Sequence, residues 1–191
     1  MPVKPGEQEI DARGDVDRLL HLLGEYGLSL EDLVGNSPRS WQDRQKAKRI
    51  AGMLAGDPEW MNYVKTNRRP PPESSRGTDP ADRRFLERNF QYITALSCIF
   101  ATPLPVLSEY IKGMGTYTIL GVKGIVLQQE GPRVTVLTED GGFRNYRSRE
   151  RNEQGQEVTV RSYGEIAVYV IAVLLLFALA VSVFYMLMTS S

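Results

Sequence analysis

The chain has 191 residues with 23 basic and 23 acidic side chains, so its overall charge gives no sign of nucleic acid or of an acidic substrate as a partner. His21 is the only histidine and Cys98 the only cysteine, which excludes an intrachain disulfide and a cluster of His and Cys metal ligands. The sequence therefore predicts a non-enzymatic protein with no metal site and no cofactor.

Residues 1–14 form a polar segment that we expect to be a mobile tail. The segment contains no apolar run, so a cleaved signal peptide is not expected. Residues 15–66 follow as a small helical unit. Helix-capping signals recur along it, at Asp15, Ser29, Ser37 and Asp57. The unit holds few large apolar residues, so we expect it to depend on another surface for stability.

Residues 67–80 contain a run of three prolines followed by Ser, Gly and Arg, which predicts an extended linker. Residues 81–110 then include 20 consecutive residues without a charge, 89–108. Their apolar side chains favour membrane insertion only to near break-even, and two prolines interrupt the helix. We expect a membrane-associated helix, which either lies in the interface or forms a second span.

Residues 111–165 change to the two-residue period of strands and predict an antiparallel β unit, either an open sheet or a small barrel. Gly-containing turn sequences separate four segments rich in β-branched and aromatic residues. The segments are 116–129, 133–138, 143–149 and 156–163. Because the last strand runs almost directly into an apolar segment, this unit is expected beside a membrane.

Residues 166–188 are 23 residues without charge, Pro or Gly, about 34 Å long as a helix. They predict a transmembrane helix with Tyr163 and Tyr169 at one interface. Ala178 and Ser182 supply a small-xxx-small spacing for helix packing. If only this helix spans, all basic residues lie on one side, which favours a cytoplasmic N-terminus and a single span over two.

The predicted fold class is thus an α+β membrane protein with an N-terminal helical unit, a juxtamembrane β unit and a C-terminal transmembrane helix. An arginine-rich stretch beside the membrane is the predicted contact with lipid headgroups or an acidic partner. Its members are Arg144, Arg147, Arg149 and Arg151.

Several adhesive surfaces without a reaction centre favour a non-catalytic accessory, scaffold or assembly subunit of a larger membrane complex, of a bioenergetic kind. Its partners would be other membrane subunits. The alternative is a membrane-anchored regulator that binds DNA or a signalling partner through residues 15–66, because their helix-turn-helix order ends in a basic helix. The basic residues of that helix are Arg44, Lys46, Lys48 and Arg49. Acidic neighbours weaken their field, so nucleic acid is not expected as a partner.

Overall fold

The computed structural model describes residues 12–72, 80–113 and 121–160, together with Leu174. Within those ranges seven helices precede four strands. The helices are α1 (Arg13–Glu25), α2 (Leu30–Asn36), α3 (Trp41–Ala55), α4 (Pro58–Asn67), α5 (Pro80–Arg88), α6 (Phe90–Ala101) and α7 (Pro105–Lys112). The strands are β1 (Val122–Glu130), β2 (Arg133–Thr138), β3 (Phe143–Arg147) and β4 (Glu157–Val160).

Side-chain caps fix where several of these helices begin. The hydroxyl of Ser29 accepts a hydrogen bond from the backbone N–H of Asp32 at 3.1 Å, and Asp57 caps α4 ahead of a proline at the first position, as predicted. The prediction that Ser37 caps α3 is wrong, because Ser40 does so. The hydroxyl of Ser37 instead accepts a hydrogen bond from the N–H of Phe143, at 3.0 Å.

Helix α6 is the centre of the helical body formed by α1 to α7. Every residue from Tyr92 to Ile99 is buried, and α1, α2, α3, α5 and α7 all contact this helix. The charge-free stretch 89–108 is therefore apolar because it lies inside the protein. Its prolines divide it, since α6 ends at Ala101 and α7 begins at Pro105.

A buried carboxylate fastens α1 to α7. Asp15, predicted to cap α1, lies inside that helix and accepts hydrogen bonds from the backbone N–H groups of Val106 and Leu107, at 2.8 and 3.1 Å. Those N–H groups belong to the first turn of α7, where they lack partners within the helix and where a negative charge is favoured. Asp15 thus stabilises the start of a helix 91 residues further along the chain.

The four strands form a curled antiparallel sheet in the order β3-β2-β1-β4. Ile125 in β1 pairs with Leu137 in β2, which pairs with Phe143 in β3, and these three buried residues share the core of the helical body. The opposite face carries a second buried cluster. Its members are Val122, Val126, Val134, Val136 and Val160. Alternation along the strands therefore gives the sheet two apolar faces, one of which packs on the helices.

The predicted fold class of a membrane protein is wrong, and the prediction of an integral membrane location is corrected with it. Across the described ranges no helix has the length and apolarity needed to cross a bilayer. The structure is a small α+β domain in which helices pack on a sheet. Residues 166–188, predicted as the transmembrane helix, lie outside the described residues apart from Leu174.

Substitution of Gly155, in the connection from β3 to β4, tests how closely the sheet approaches α1. Its φ is +85°, and a Cβ there would lie 2.7 Å from Cα of Arg13. Gly131 is the matched control, because its φ is +57° but a Cβ would meet no atom within 4 Å. We expect Gly131→Ala to lower the free energy of unfolding by about 1 kcal/mol through backbone strain. Gly155→Ala should cost about 2 kcal/mol more, because the Arg13 backbone must move.

Urea denaturation of both variants measures these differences. Equal losses at the two positions would contradict the close approach of α1 to the sheet.

Candidate interaction site at the helix–sheet junction

A buried ion pair joins the helical body to the sheet. Nη2 of Arg44, on α3, lies 2.6 Å from Oδ2 of Asp140, in the turn between β2 and β3. The side chains are only 4% and 0% exposed, so neither charge is solvated by bulk water. A charge buried this deeply needs further polar partners, because its own hydration has been lost.

Both members of the pair have such partners. Nη1 of Arg44 donates to the carbonyl oxygens of Pro38 and Arg39, at 2.7 and 2.8 Å. Oδ1 of Asp140 accepts from the hydroxyl of Thr138 at 2.5 Å and from the N–H of Gly142 at 3.2 Å. The ion pair therefore fixes the loop before α3 and the turn after β2 in one arrangement.

Two further side chains of the helical body hold the same region. The hydroxyl of Tyr92, on α6, donates to the carbonyl of Gly141 at 2.9 Å, and its ring meets the ring of Phe143 edge to face at 6.1 Å. Nζ of Lys48 donates to the carbonyls of Ile111 and Gly113, both at 2.8 Å. Burial lowers the pKa of Lys48, against the opposing effect of Asp140. We call Arg44, Lys48, Tyr92, Asp140 and Phe143 the junction.

A groove of about 1420 Å³ opens beside the junction, between the α2–α3 loop and strand β3. Arg39, Arg133 and Arg147 line it and are exposed. Arg144 lines it too, half-buried, with Nη2 at 3.7 Å from Oδ2 of Asp140. The strand β3 is an edge of the sheet, so Arg144 and Arg147 lie on an edge strand beside the groove.

The structure brings together only some of the predicted contact residues. Arg144 and Arg147 share the groove, whereas the exposed Arg151 lines a second groove, of about 760 Å³, beside α1. Arg149 is exposed, with no role in either groove. Partner contact by these residues stays a prediction. The remaining predicted contact residues lie outside the described residues: Tyr163, Tyr169, Ala178 and Ser182.

The basic residues of α3 do not form a surface for phosphates. Arg44 and Lys48 are buried in the junction. Lys46 and Arg49 both bind Asp82, at 2.9 and 2.8 Å, and this pairing lowers the pKa of Asp82. All four cations thus have carboxylate or carbonyl partners, which leaves little field for nucleic acid.

The remaining candidates for chemistry are ordinary parts of the fold. His21 is exposed beside Glu25, with 3.9 Å between Nδ1 and Oε1. Burial raises the pKa of Cys98 to about 12, so its thiol is inert at neutral pH. In the part of the chain that the structure describes, no group of His, Cys, Asp and Glu side chains could hold a metal ion.

The sheet coincides with a segment that resembles a known family. Residues 122–161 match the family model of the anti-sigma factor N-terminus, RsgI_N, and all four strands lie within that match. The match therefore covers the whole of the described sheet.

Longer stretches of the chain resemble RNA polymerase sigma factors. The chain is 31% identical to sigma factor SigI1 of Acetivibrio thermocellus over 121 residues, which is 63% of this chain and 46% of that protein. It is 32% identical to SigI of Bacillus subtilis over 92 residues, 48% of this chain and 37% of that protein. It is 28% identical to SigI3 of A. thermocellus over 106 residues, which is 56% of this chain and 43% of that protein. The chain spans less than half the length of each relative.

The resemblance to SigI1 necessarily includes helices of the helical body. A stretch of 121 residues leaves 70 of the 191 outside it, so it contains residues 71–121 wherever it begins. Helices α5, α6 and α7 lie in that range. The sigma-factor resemblance therefore reaches the helices, whereas the anti-sigma resemblance covers the sheet.

These comparisons overturn the predicted accessory subunit of a membrane complex, with other membrane subunits as partners. The matching family is an anti-sigma factor N-terminus, and the relatives are RNA polymerase sigma factors. The alternative prediction, a membrane-anchored regulator that binds DNA or a signalling partner through residues 15–66, agrees better with them.

Loss of one junction charge should destabilise the fold strongly. We expect Arg44→Met to lower the free energy of unfolding by about 3–5 kcal/mol, because Asp140 would stay buried without its nearest countercharge. Arg49→Met is the matched control on the same helix. Its side chain is 55% exposed, so it should cost no more than about 1 kcal/mol. Urea denaturation compares the two variants, and similar losses would contradict a structural role for the buried pair.

Tyr110, on α7, should limit stability in alkali. Its buried hydroxyl has no hydrogen-bond partner among the described residues, and burial raises its pKa above the ordinary 10.0. As the pH passes 10, the unfolded chain releases this proton before the folded chain does, so alkali favours unfolding. We expect Tyr110→Phe to raise the free energy of unfolding by about 1 kcal/mol at pH 7.

The variant should also lose less stability than wild type between pH 10 and 11, measured by urea denaturation. Tyr63→Phe, a half-buried position on α4, is the control. An unchanged alkaline loss in Tyr110→Phe would refute the effect of burial.

Proposed function

We propose that this chain regulates an RNA polymerase sigma factor by binding it, without catalysing a reaction. The observation that carries the proposal is the match of residues 122–161 to the anti-sigma factor N-terminus, which contains every strand of the described sheet. A match to a complete structural unit supports a shared mode of action better than a match to scattered segments would.

The sheet has the chemistry of a protein-binding surface. Its helix-facing side offers a fully buried apolar patch, Ile125, Leu137 and Phe143, beside a single carboxylate, Asp140. Interfaces of this kind combine an apolar centre with few, well-partnered charges. The sheet thus has the means to bind a helical protein through one face.

Binding alone is sufficient for regulation. A sigma factor held by this chain is removed from the pool that is free to join RNA polymerase, so transcription from its promoters falls by mass action. At a free chain concentration ten times the Kd, the free sigma factor falls about elevenfold. No chemical step is needed for this effect.

The test uses the full chain and the SigI-like sigma factor of the same organism. We expect a complex in size-exclusion chromatography and a dose-dependent fall in transcription from a promoter that needs this sigma factor. RNA polymerase with an unrelated sigma factor is the control and should be unaffected. If the mixed proteins elute separately at 50 µM, transcription is unchanged there, and cutting the chain between residues 113 and 121 produces neither effect, the proposed function is wrong.

A further inference from the structure

We infer that the helical body occupies, within the same chain, the sheet surface on which a sigma factor would dock. The chain is then a sigma-like part and an anti-sigma-like part bound to each other, and a separate sigma factor must displace the helical body. This inference rests on the proposed function and adds where the sigma factor binds and what competes with it.

The positions of the two resemblances support this pairing. The stretch that resembles SigI1 includes α6 and α7, and the stretch that matches the anti-sigma factor N-terminus begins at Val122. Resemblances to an anti-sigma factor and to sigma factors are therefore both present in one chain, the first over the sheet and the second at least over residues 71–121.

Direct contacts join those two segments. Tyr92, in the sigma-like stretch, donates its hydroxyl hydrogen to the carbonyl of Gly141 and packs its ring against Phe143, both in the anti-sigma-like stretch. Ile93, Leu96 and the sheet residues Ile125 and Leu137 belong to one buried cluster. The helices of one resemblance thus share a core with the sheet of the other.

This arrangement leaves the helix-facing side of the sheet closed to an outside protein. Phe143 is 1% exposed, while Ile125 and Leu137 are fully buried. Seven residues, 114–120, connect α7 and Gly113 to the sheet. A connection this short gives the helical body an effective concentration in the millimolar range at the sheet. A sigma factor at micromolar concentration competes poorly with it.

The experiment cuts this connection in the folded chain. A protease recognition sequence replaces residues 114–120, the purified full chain is cleaved, and the two pieces are followed by size-exclusion chromatography. We expect the pieces to stay together after cleavage. Added SigI-like sigma factor should then release the helical piece and elute with the sheet piece, with an apparent affinity at least about 100-fold higher than for the uncut chain.

Each other outcome has a definite meaning. Pieces that separate on cleavage, without any sigma factor, overturn the inference. A sigma factor that joins the cut chain without releasing the helical piece also overturns it but leaves the proposed function in place. If the sigma factor binds neither the cut nor the uncut chain, the proposed function itself fails.

A pair of variants in the cut chain separates displacement from general loosening. Tyr92→Phe removes the hydrogen bond to Gly141 and should lower the sigma factor concentration needed for half release by about fivefold. Ser97→Ala, on the same helix, removes a buried hydroxyl bonded to Ile93 and Ala51 within the helical body and should leave that concentration unchanged. Equal effects of the two changes would contradict displacement at the junction.

Discussion

The arrangement of helices and sheet depends on the buried ion pair of Arg44 and Asp140. Burying two charges costs several kcal/mol each, and their attraction offsets this only when the remaining hydrogen-bonding groups are satisfied as well. Here Nη1 of Arg44 donates to the carbonyls of Pro38 and Arg39, and Oδ1 of Asp140 accepts from Thr138 and Gly142. Separation of the helices from the sheet would break this pair, which opposes such separation.

The apolar contacts around the pair supply attraction, and the polar contacts supply position. Apolar burial is not directional, so the core alone would tolerate sliding of the sheet across α6. Hydrogen bonds from Tyr92 and to Ser37 prevent such sliding, because each requires one distance and one angle. These hydrogen bonds therefore hold the sheet in one position on the helices.

Local features of the sequence predicted much of the fold, and long-range ones did not. Ser29 and Asp57 begin helices as predicted, because a cap needs only its neighbours. Ser37 carried a similar local signal, yet a strand 106 residues away took its hydroxyl. Residues 89–108 were predicted to associate with a membrane because hydropathy does not distinguish a helix surrounded by lipid from one surrounded by protein. Asp140 lies in a turn, and nothing near it in the sequence reveals its partner Arg44.

Hydrogen bonds between the first helix and the β3–β4 connection can form only late in the synthesis of the chain. Gln154 donates to the carboxylate of Asp17, a partner 137 residues earlier, and the N–H of Ala12 donates to the carbonyl of Gly155. Ribosomes add about 5–20 residues each second, so α1 emerges many seconds before the turn that fastens it. The helices therefore emerge from the ribosome before the sheet residues that cover part of their apolar surface in the folded chain.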